Sequence, residues 1–310
     1  MAPAMDDTPL TRRIAHRTGF LAFKTILAVL NRLPYAWRVH GMGWLATRVI
    51  GPLAGYRRRA LTNLEMVWPG MPGPERRRLA DETLDNFGRT VIENFCHADF
   101  AAHLARTGTR VEGPGLPALD AARAEGRPVL FAAAHFGNHE APRHAFAAQG
   151  TAVGGIYRPL SNPYIDRDYR ETLNAIGAET FPQGREGTAR FARYLRNGGW
   201  GILYYDIHQP RGDKLEFMGL PARTSTSAAK LALKHGAALV PVFAVRQPDG
   251  LSFRVIVEEP IAPGDPMEMT EALHARLEAR IAETPAQWMW IHRRWKSHQK
   301  AQARSRTLSS

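Results

Sequence analysis

The chain has 310 residues, 44% of them hydrophobic, and a single cysteine, Cys96. This composition builds a packed core and excludes an intramolecular disulfide, so it indicates a globular protein of a reducing compartment. The formal net charge of +12 favours an anionic partner, which is a nucleic acid, a phospholipid surface, or an acidic protein or substrate.

Two apolar stretches near the N-terminus predict a helical arm over residues 1–60. The first, Phe20–Trp37, is interrupted by polar residues and is too short for a clean membrane span. The second, Met42–Tyr56, is followed directly by Arg57, Arg58 and Arg59. Basic residues beside apolar, aromatic-bearing helices are typical of an interfacial membrane anchor, and the alternative is that these helices simply pack on the domain.

The central region, residues 61–296, is predicted to form one α/β domain. A helical repeat of apolar residues after Pro74 predicts a long amphipathic helix, and Pro128–Ala134 reads as a buried strand that ends at His135. Further strands are predicted at Val153–Tyr157, Glu179–Phe181, Trp200–Tyr205, Ala238–Val245 and Leu251–Val257, and helices at 164–176, 186–197 and 224–235.

This alternation predicts a mixed, mostly parallel central sheet flanked by helices, with the last two strands forming a hairpin. His135 and Asp206 both follow predicted strands, at the sheet edge where ligands bind in such folds. The basic tail, residues 297–310, is predicted to be disordered.

The segment HFGNHE places His135 five residues before Glu140, across a turn that contains glycine. A carboxylate that folds back on an imidazole holds one ring N–H and leaves the other nitrogen free to deprotonate a hydroxyl. We therefore expect His135 to be a general base and Glu140 its orienting carboxylate. This hypothesis predicts that Glu140→Ala lowers turnover strongly and leaves folding intact.

Two other chemistries find less support in the same residues. His139, Glu140 and His144 do not have the spacing of a His-Glu-x-x-His zinc site, and Pro142 interrupts them, so no metal is expected. The G-x-S-x-G turn of a covalent serine enzyme is missing from the sequence. The favoured mechanism is direct transfer without an acyl-enzyme, and no cofactor is expected.

Four segments of the chain resemble the bacterial lipid A lauroyl/myristoyl acyltransferases, which belong to the glycerolipid acyltransferase-like group with an H-x4-D/E motif. In chain order they are HFGNHE at 135–140, YRPLSNP at 157–163, GGWGILYYD at 198–206 with FMGLPA at 217–222, and PAQWMWIHRRWK at 285–296. One departure is His139, which stands where the family commonly has Trp. The Trp and Arg residues of the last segment have helical spacing, and core packing beside the sheet is favoured over nucleic-acid stacking.

The resemblance implies transfer of an acyl chain from acyl carrier protein to a hydroxyl of an anionic lipid A precursor, at the cytoplasmic face of the bacterial inner membrane. It implies that Asn138 and backbone amides stabilise the thioester oxyanion. Arg158 is the first candidate for contacting a phosphate or the oxyanion, and Arg185 is the second. Asp206 is expected at the substrate, or alternatively as a helix cap or loop hydrogen bonder.

Two alternatives remain open at this stage. The same dyad serves an acyltransferase with another lipid acceptor, such as a lysophospholipid or an amino-acid lipid. A non-catalytic basic protein that binds a membrane or nucleic acid would use charge alone. The enzyme hypothesis expects the partners to be acyl carrier protein, the lipid acceptor and the membrane surface, without nucleic acid.

Overall fold

The computed structural model describes residues 9–299, which form helices packed on both faces of one large sheet. The helices are α1 (Leu10–Leu30), α2 (Tyr35–Leu45), α3 (Gly51–Leu53), α4 (Tyr56–Val67), α5 (Gly73–Phe95), α6 (His97–Thr107), α7 (Leu116–Ala124), α8 (Ala141–Ala148), α9 (Pro163–Asn174), α10 (Arg185–Arg196), α11 (Ser227–His235) and α12 (Pro266–Glu283). The strands are β1 (Arg110–Glu112), β2 (Val129–Gly137), β3 (Val153–Tyr157), β4 (Thr180–Pro182), β5 (Trp200–Tyr204), β6 (Asp213–Phe217), β7 (Leu220–Thr224), β8 (Ala238–Arg246) and β9 (Phe253–Val257).

The large sheet has the strand order β1-β9-β8-β2-β5-β3-β4. Its neighbouring strands run parallel except for β8 and β9, which form the predicted antiparallel hairpin. β6 and β7 form a separate two-stranded hairpin. The prediction of a mixed, mostly parallel sheet flanked by helices is therefore confirmed.

Two hydrophobic cores lie on opposite faces of the sheet, as alternation along a strand requires. Along β2, Leu130 and Ala132 face one core, whereas Val129, Phe131 and Ala133 face the other. The first core includes residues of α4, α5, α11 and α12, and the second includes residues of α6, α7 and α8. Because both faces are covered, β2 is apolar throughout and places the residues that follow it at the centre of the molecule.

The N-terminal arm is helical, as predicted, and α1 packs along α9. The side chain of Asn162 donates to the carbonyl of His16 over 2.8 Å, and Lys24 pairs with Asp168 at 2.9 Å. Asn162 also caps α9 through the backbone N–H of Tyr164, with Pro163 in the first helical position. No helix of residues 9–299 is both long and apolar enough to cross a membrane.

Several elements differ from the sequence predictions. The helix predicted over 224–235 begins at Ser227, because β7 extends to Thr224. The expected helix around the C-terminal Trp residues is wrong: Pro285–Gln287 form one 3-10 turn, and Trp288 makes a β-bridge to Phe136. Trp288, Trp290 and Trp295 are all fully buried, as core packing required. Of the tail predicted to be disordered, residues 297–299 are helical, and residues 300–310 lie outside the described residues.

Candidate active site

His135 lies near the end of β2, where the strand bends into a turn. Gly137 has a φ of 56°, and a Cβ there would lie 1.8 Å from the carbonyl oxygen of Ala244. Only glycine is compatible with this left-handed backbone and this close approach. The strand therefore continues past His135 and ends at Gly137, where the chain turns.

Asp206 is the carboxylate that contacts His135. β2 and β5 are parallel neighbours in which Ala133 pairs with Tyr204, so the residues two positions further along each strand lie side by side. The Nδ1 atom of His135 is 2.8 Å from one carboxylate oxygen of Asp206, and its backbone N–H donates to the other over 2.9 Å. Asp206 is fully buried, and its carboxylate orients the imidazole. It does not face the substrate, in contrast to the expectation from sequence.

The protonation of this pair follows from its environment. Burial alone would raise the pKa of Asp206, but the His135 imidazole and backbone N–H hold that pKa well below its usual range. The carboxylate is then ionised and accepts a hydrogen bond from Nδ1–H, which leaves Nε2 of His135 as a lone-pair acceptor. His135 in this tautomer has the form of a general base.

The predicted contact between Glu140 and His135 is not found. Glu140 accepts instead from the Arg143 guanidinium over 2.9 Å and from the Tyr204 hydroxyl over 3.0 Å. Burial would raise the pKa of Glu140, but the Arg143 charge more than offsets it and keeps that pKa below its usual value. The reason for the difference is Arg143, one turn along α8, which offers the carboxylate a nearer and permanently charged partner.

Asn138 is also turned away from the substrate side. Its amide donates to Glu93 over 2.9 Å, and its oxygen accepts the backbone N–H of Glu140. Glu93 is fully buried and is held by Arg246 through two hydrogen bonds. Asn138 therefore fixes the turn after β2, and its side chain is not free to stabilise an oxyanion.

A cavity of about 860 Å³ opens beyond the carboxyl ends of β2, β3 and β5. Its wall includes His135, His139, Glu140 and Arg158, together with the apolar residues Ile156, Leu173, Ile202, Leu203 and Leu231. Within residues 9–299, Arg158 has neither a hydrogen bond nor an ion pair, so its guanidinium is available to a ligand. Arg185 is exposed at the start of α10 and is not among the described residues of the cavity wall.

Residues 288–292 contact His135 and Asp206 and complete the site. The indole N–H of Trp288 donates to Asp206 over 3.0 Å, and the backbone N–H of Met289 donates to the carbonyl of His135 over 3.0 Å. The ring of His292 meets the His135 ring edge to face, with centroids 4.5 Å apart. Burial, with the adjacent His135, lowers the pKa of His292 to about 3, so this ring is neutral.

Among residues 9–299, the group that could hold a metal is His135, Asp206 and His292, whose ligand atoms lie within 4.8 Å of one another. Asp206 already accepts three hydrogen bonds, from the ring and backbone of His135 and from Trp288. These three donors satisfy the hydrogen-bonding capacity of the buried carboxylate, and the arrangement suits proton transfer.

Sequence reasoning missed the roles of Trp288, His292 and Tyr204. Trp288 and His292 belong to the PAQWMWIHRRWK segment, which was interpreted only as core packing. A signal was present in that segment, because a histidine among buried aromatic residues needs a polar neighbour or a functional use. The missing information was the pairing of this segment with β2, about 150 residues earlier in the chain.

Comparison with known proteins finds one matching family model and several similar acyltransferases. Residues 10–297 match the family model described as "Bacterial lipid A biosynthesis acyltransferase". The chain is 28% identical to the lipid A biosynthesis lauroyltransferase of Escherichia coli (strain K12), covering 88% of this chain and 89% of that protein. It is 30% identical to the phosphatidylinositol mannoside acyltransferase of Mycobacterium tuberculosis (strain H37Rv), covering 94% of this chain and 100% of that protein. A lipid A biosynthesis acyltransferase of Haemophilus influenzae is 25% identical, covering 83% of each chain.

Proposed function

Because the chain belongs to the bacterial lipid A biosynthesis acyltransferase family, we propose that it transfers a fatty acyl chain from acyl carrier protein to a hydroxyl of a lipid A precursor. The observation that carries this proposal is the 2.8 Å contact between His135 and the buried Asp206 at the wall of the 860 Å³ cavity. An ionised carboxylate, a neutral imidazole and a partly apolar cavity are the parts that acyl transfer to an alcohol requires.

The reaction is a direct transfer. Nε2 of His135 takes the proton of the acceptor hydroxyl while the hydroxyl oxygen attacks the thioester carbonyl. The new C–O ester bond forms, the C–S bond breaks, and the carrier thiolate takes the proton back from the imidazolium. Asp206 holds the Nδ1–H throughout and stabilises the positive charge that the ring carries between the two proton transfers.

Arg158 is the group proposed to meet negative charge in the cavity. A guanidinium without a partner in the described residues binds a phosphate or a developing oxyanion through charge-assisted hydrogen bonds. We expect Arg158→Ala to lower kcat/KM by about ten- to a hundredfold, a loss typical of one such contact. Arg185→Ala is the matched control and should change kcat/KM less than twofold, because Arg185 stands exposed outside the cavity wall.

The anionic partners are assigned by charge and by the surface beside the cavity. α1 leaves Leu10, Ile14 and Leu21 exposed, and it is hydrogen-bonded to the segment that links Arg158 to α9. α2 exposes Trp37 and Trp44. Apolar and aromatic side chains on a basic chain favour peripheral or monotopic binding to the cytoplasmic face of the inner membrane, with the cavity mouth toward the lipid. The net charge of +12 suits an acidic carrier protein as the donor.

A second acceptor class is favoured by one observation. The relative named phosphatidylinositol mannoside acyltransferase is as similar to this chain as the lauroyltransferase is, and it is covered over its full length. The same dyad would serve a sugar hydroxyl of another lipid.

The test is a lipid A mass spectrum of the source bacterium with and without the gene, complemented with wild type or His135→Ala. Loss of one acyl-chain mass, restored by wild type alone, is the expected result. An unchanged lipid A spectrum, with a changed glycolipid or phospholipid fraction, would contradict lipid A as the acceptor and support the second class.

A further inference from the structure

Arg246 is a buried arginine at the end of β8 that the transfer mechanism does not use. Its guanidinium donates two hydrogen bonds to Glu93, over 2.5 and 2.8 Å. It donates three more over 2.8, 3.3 and 3.0 Å, to Asn86, Thr90 and the carbonyl of Gly250. A guanidinium has five N–H donors, so Arg246 has none left for a ligand.

Three side chains on one face of α5 contact both Arg246 and the turn after β2. We call them the α5 stripe, because they lie at i, i+4 and i+7 of the helix: Asn86, Thr90 and Glu93. The first two donate to the carbonyl of Gly137 over 3.2 and 3.0 Å, and the third accepts from the side chain of Asn138 over 2.9 Å. Each member of the stripe therefore links Arg246 to the end of the strand that carries His135.

Arg246 also holds the C-terminal side of the site, through its backbone. Its N–H donates to the side chain of Gln287 over 2.8 Å, and its carbonyl accepts from the same side chain over 2.8 Å. Gln287 directly precedes Trp288, whose indole N–H donates to Asp206. Arg246 is thus connected to both segments that enclose the pair of His135 and Asp206.

The ion pair between Arg246 and Glu93 lies in the protein interior. Both residues are buried, Glu93 completely, and neither is among the described residues of the cavity wall. Removing two charges from water costs free energy that their attraction often fails to recover, so such a pair is a weak source of stability. Its planar, bidentate geometry instead fixes the relative positions of the elements that it joins.

We propose that Arg246 is a positioning residue for acyl transfer, which holds the turn after β2, and with it His135, in the geometry that the reaction needs. The inference rests on the proposed function, which makes His135 the general base. Because Arg246 acts through other residues and does not touch the substrate, its loss should lower kcat and leave KM nearly unchanged. A displacement of about 1 Å near a reacting group can lower a rate about a hundredfold, so we expect a loss of about ten- to a hundredfold.

Two variants test the guanidinium without leaving a buried charge unpaired. The double variant, Arg246→Met with Glu93→Gln, removes both charges and keeps an acceptor for the side chain of Asn138. The second variant, Arg246→Lys, keeps the positive charge. Its single ammonium group cannot contact the whole α5 stripe as the planar guanidinium does.

The matched control is Glu258→Gln with Arg280→Met. This pair also contains a buried carboxylate, and within the described part of the chain it has no hydrogen bond or ion pair with the turn after β2. A purely structural role of Arg246 predicts that the double variant and the control lose stability but keep the same kcat per folded molecule. The comparison therefore separates positioning from stability.

The first measurement is kcat and KM of the full chain, with acyl carrier protein thioester as donor and a long-chain 3-hydroxyacyl amide in mixed micelles as acceptor. Urea unfolding gives the folded fraction by which each kcat is corrected. We expect kcat to fall by about ten- to a hundredfold in the double variant and by less in Arg246→Lys. KM should stay within about threefold of wild type in both, and kcat of the control within about twofold.

The second measurement reports the position of His135 without the reaction. In protein made with isotopically labelled histidine, the Nδ1–H that donates to Asp206 gives a proton resonance, which is assigned by its loss in His135→Gln. We expect this resonance to shift or broaden in the double variant and to stay in place in the control.

Each result decides the role of Arg246. Wild-type kcat per folded molecule, or an unshifted His135 resonance, in the folded double variant would overturn the positioning role, and so would an equal loss of kcat in the control. If the double variant does not fold, the same criteria apply to Arg246→Lys. If folded wild type transfers no acyl chain, the proposed function fails, and the resonance alone decides whether Arg246 positions His135.

Discussion

Two fully buried carboxylates lie beside the same cavity, and they have opposite environments. Asp206 is hydrogen-bonded to an imidazole, a group that can take up and release a proton, whereas Glu140 is hydrogen-bonded to a guanidinium, which stays charged. The first pair can accept and release a proton during a reaction, whereas the second pair can have only a structural role. The partner, and not the sequence distance from His135, decides which carboxylate takes part in chemistry.

Replacing Asp206 tests the reactive pair and should have the largest effect. Asp206→Asn removes the charge that fixes the Nδ1–H tautomer and stabilises the imidazolium, so we expect kcat to fall by about a thousandfold or more. Steady-state transfer by folded protein measures it. A larger loss of kcat per folded molecule in Glu140→Gln than in Asp206→Asn would reverse the assignment of the two carboxylates.

Replacing Glu140 tests the locked pair and should appear first in stability. Glu140→Ala leaves the buried Arg143 charge without its partner, which costs about 3–5 kcal/mol of unfolding free energy. This expected loss of stability differs from the expectation from sequence, which is that Glu140→Ala leaves folding intact. Urea unfolding of Glu140→Ala, Arg143→Met and the double variant should show a double-mutant penalty well below the sum of the single ones. Additive penalties would mean that the ion pair is not a stability element.

The smallest effect is expected at His144, which lies beside the locked pair. Burial lowers its pKa to about 4, and its Nε2 has no partner among the described residues. The unfolded chain binds this proton near pH 6.5 and the folded chain only near pH 4, so the contribution is complete above pH 6.5 and is lost as the pH falls.

For His144→Phe we therefore expect a shallower decline of stability in acid, by about 1.4 kcal/mol per pH unit between pH 6 and 5. Urea unfolding of wild type and variant across this range measures the difference in slope. Parallel curves for the two proteins would show that His144 is protonated in the folded state.

Local patterns predicted much of the fold but only part of the site. Apolar runs located β2, β3, β5, β8 and β9 to within two or three residues, because burial on both faces imposes this composition. β1, with three residues and one sheet neighbour, has too short a pattern to detect. His135 was found from its place at a strand end, and this required no knowledge of distant contacts.

The orienting partner of His135 could not be found in the same way. Its identification requires the parallel register of β2 on β5, which brings together residues 71 positions apart. Spacing within HFGNHE suggested Glu140, since that interpretation treated a nearby residue as a spatial neighbour. Arg143 was a visible competitor in the sequence, because a cation three residues along a helix is within reach of a carboxylate.

The bridge between Phe136 and Trp288 joins two segments of the active site that are far apart in the chain. Asp206 receives one of its three hydrogen bonds from Trp288, and the carbonyl of His135 is held by Met289, so a segment that follows both residues by more than 80 positions supplies part of the wall of the site. A chain that ends soon after Asp206 has the proposed base and its orienting carboxylate but lacks the indole of Trp288 and the imidazole of His292 that enclose them. Full activity then requires the residues from Pro285 onward, and a truncation before Pro285 should yield a protein in which water reaches the carboxylate.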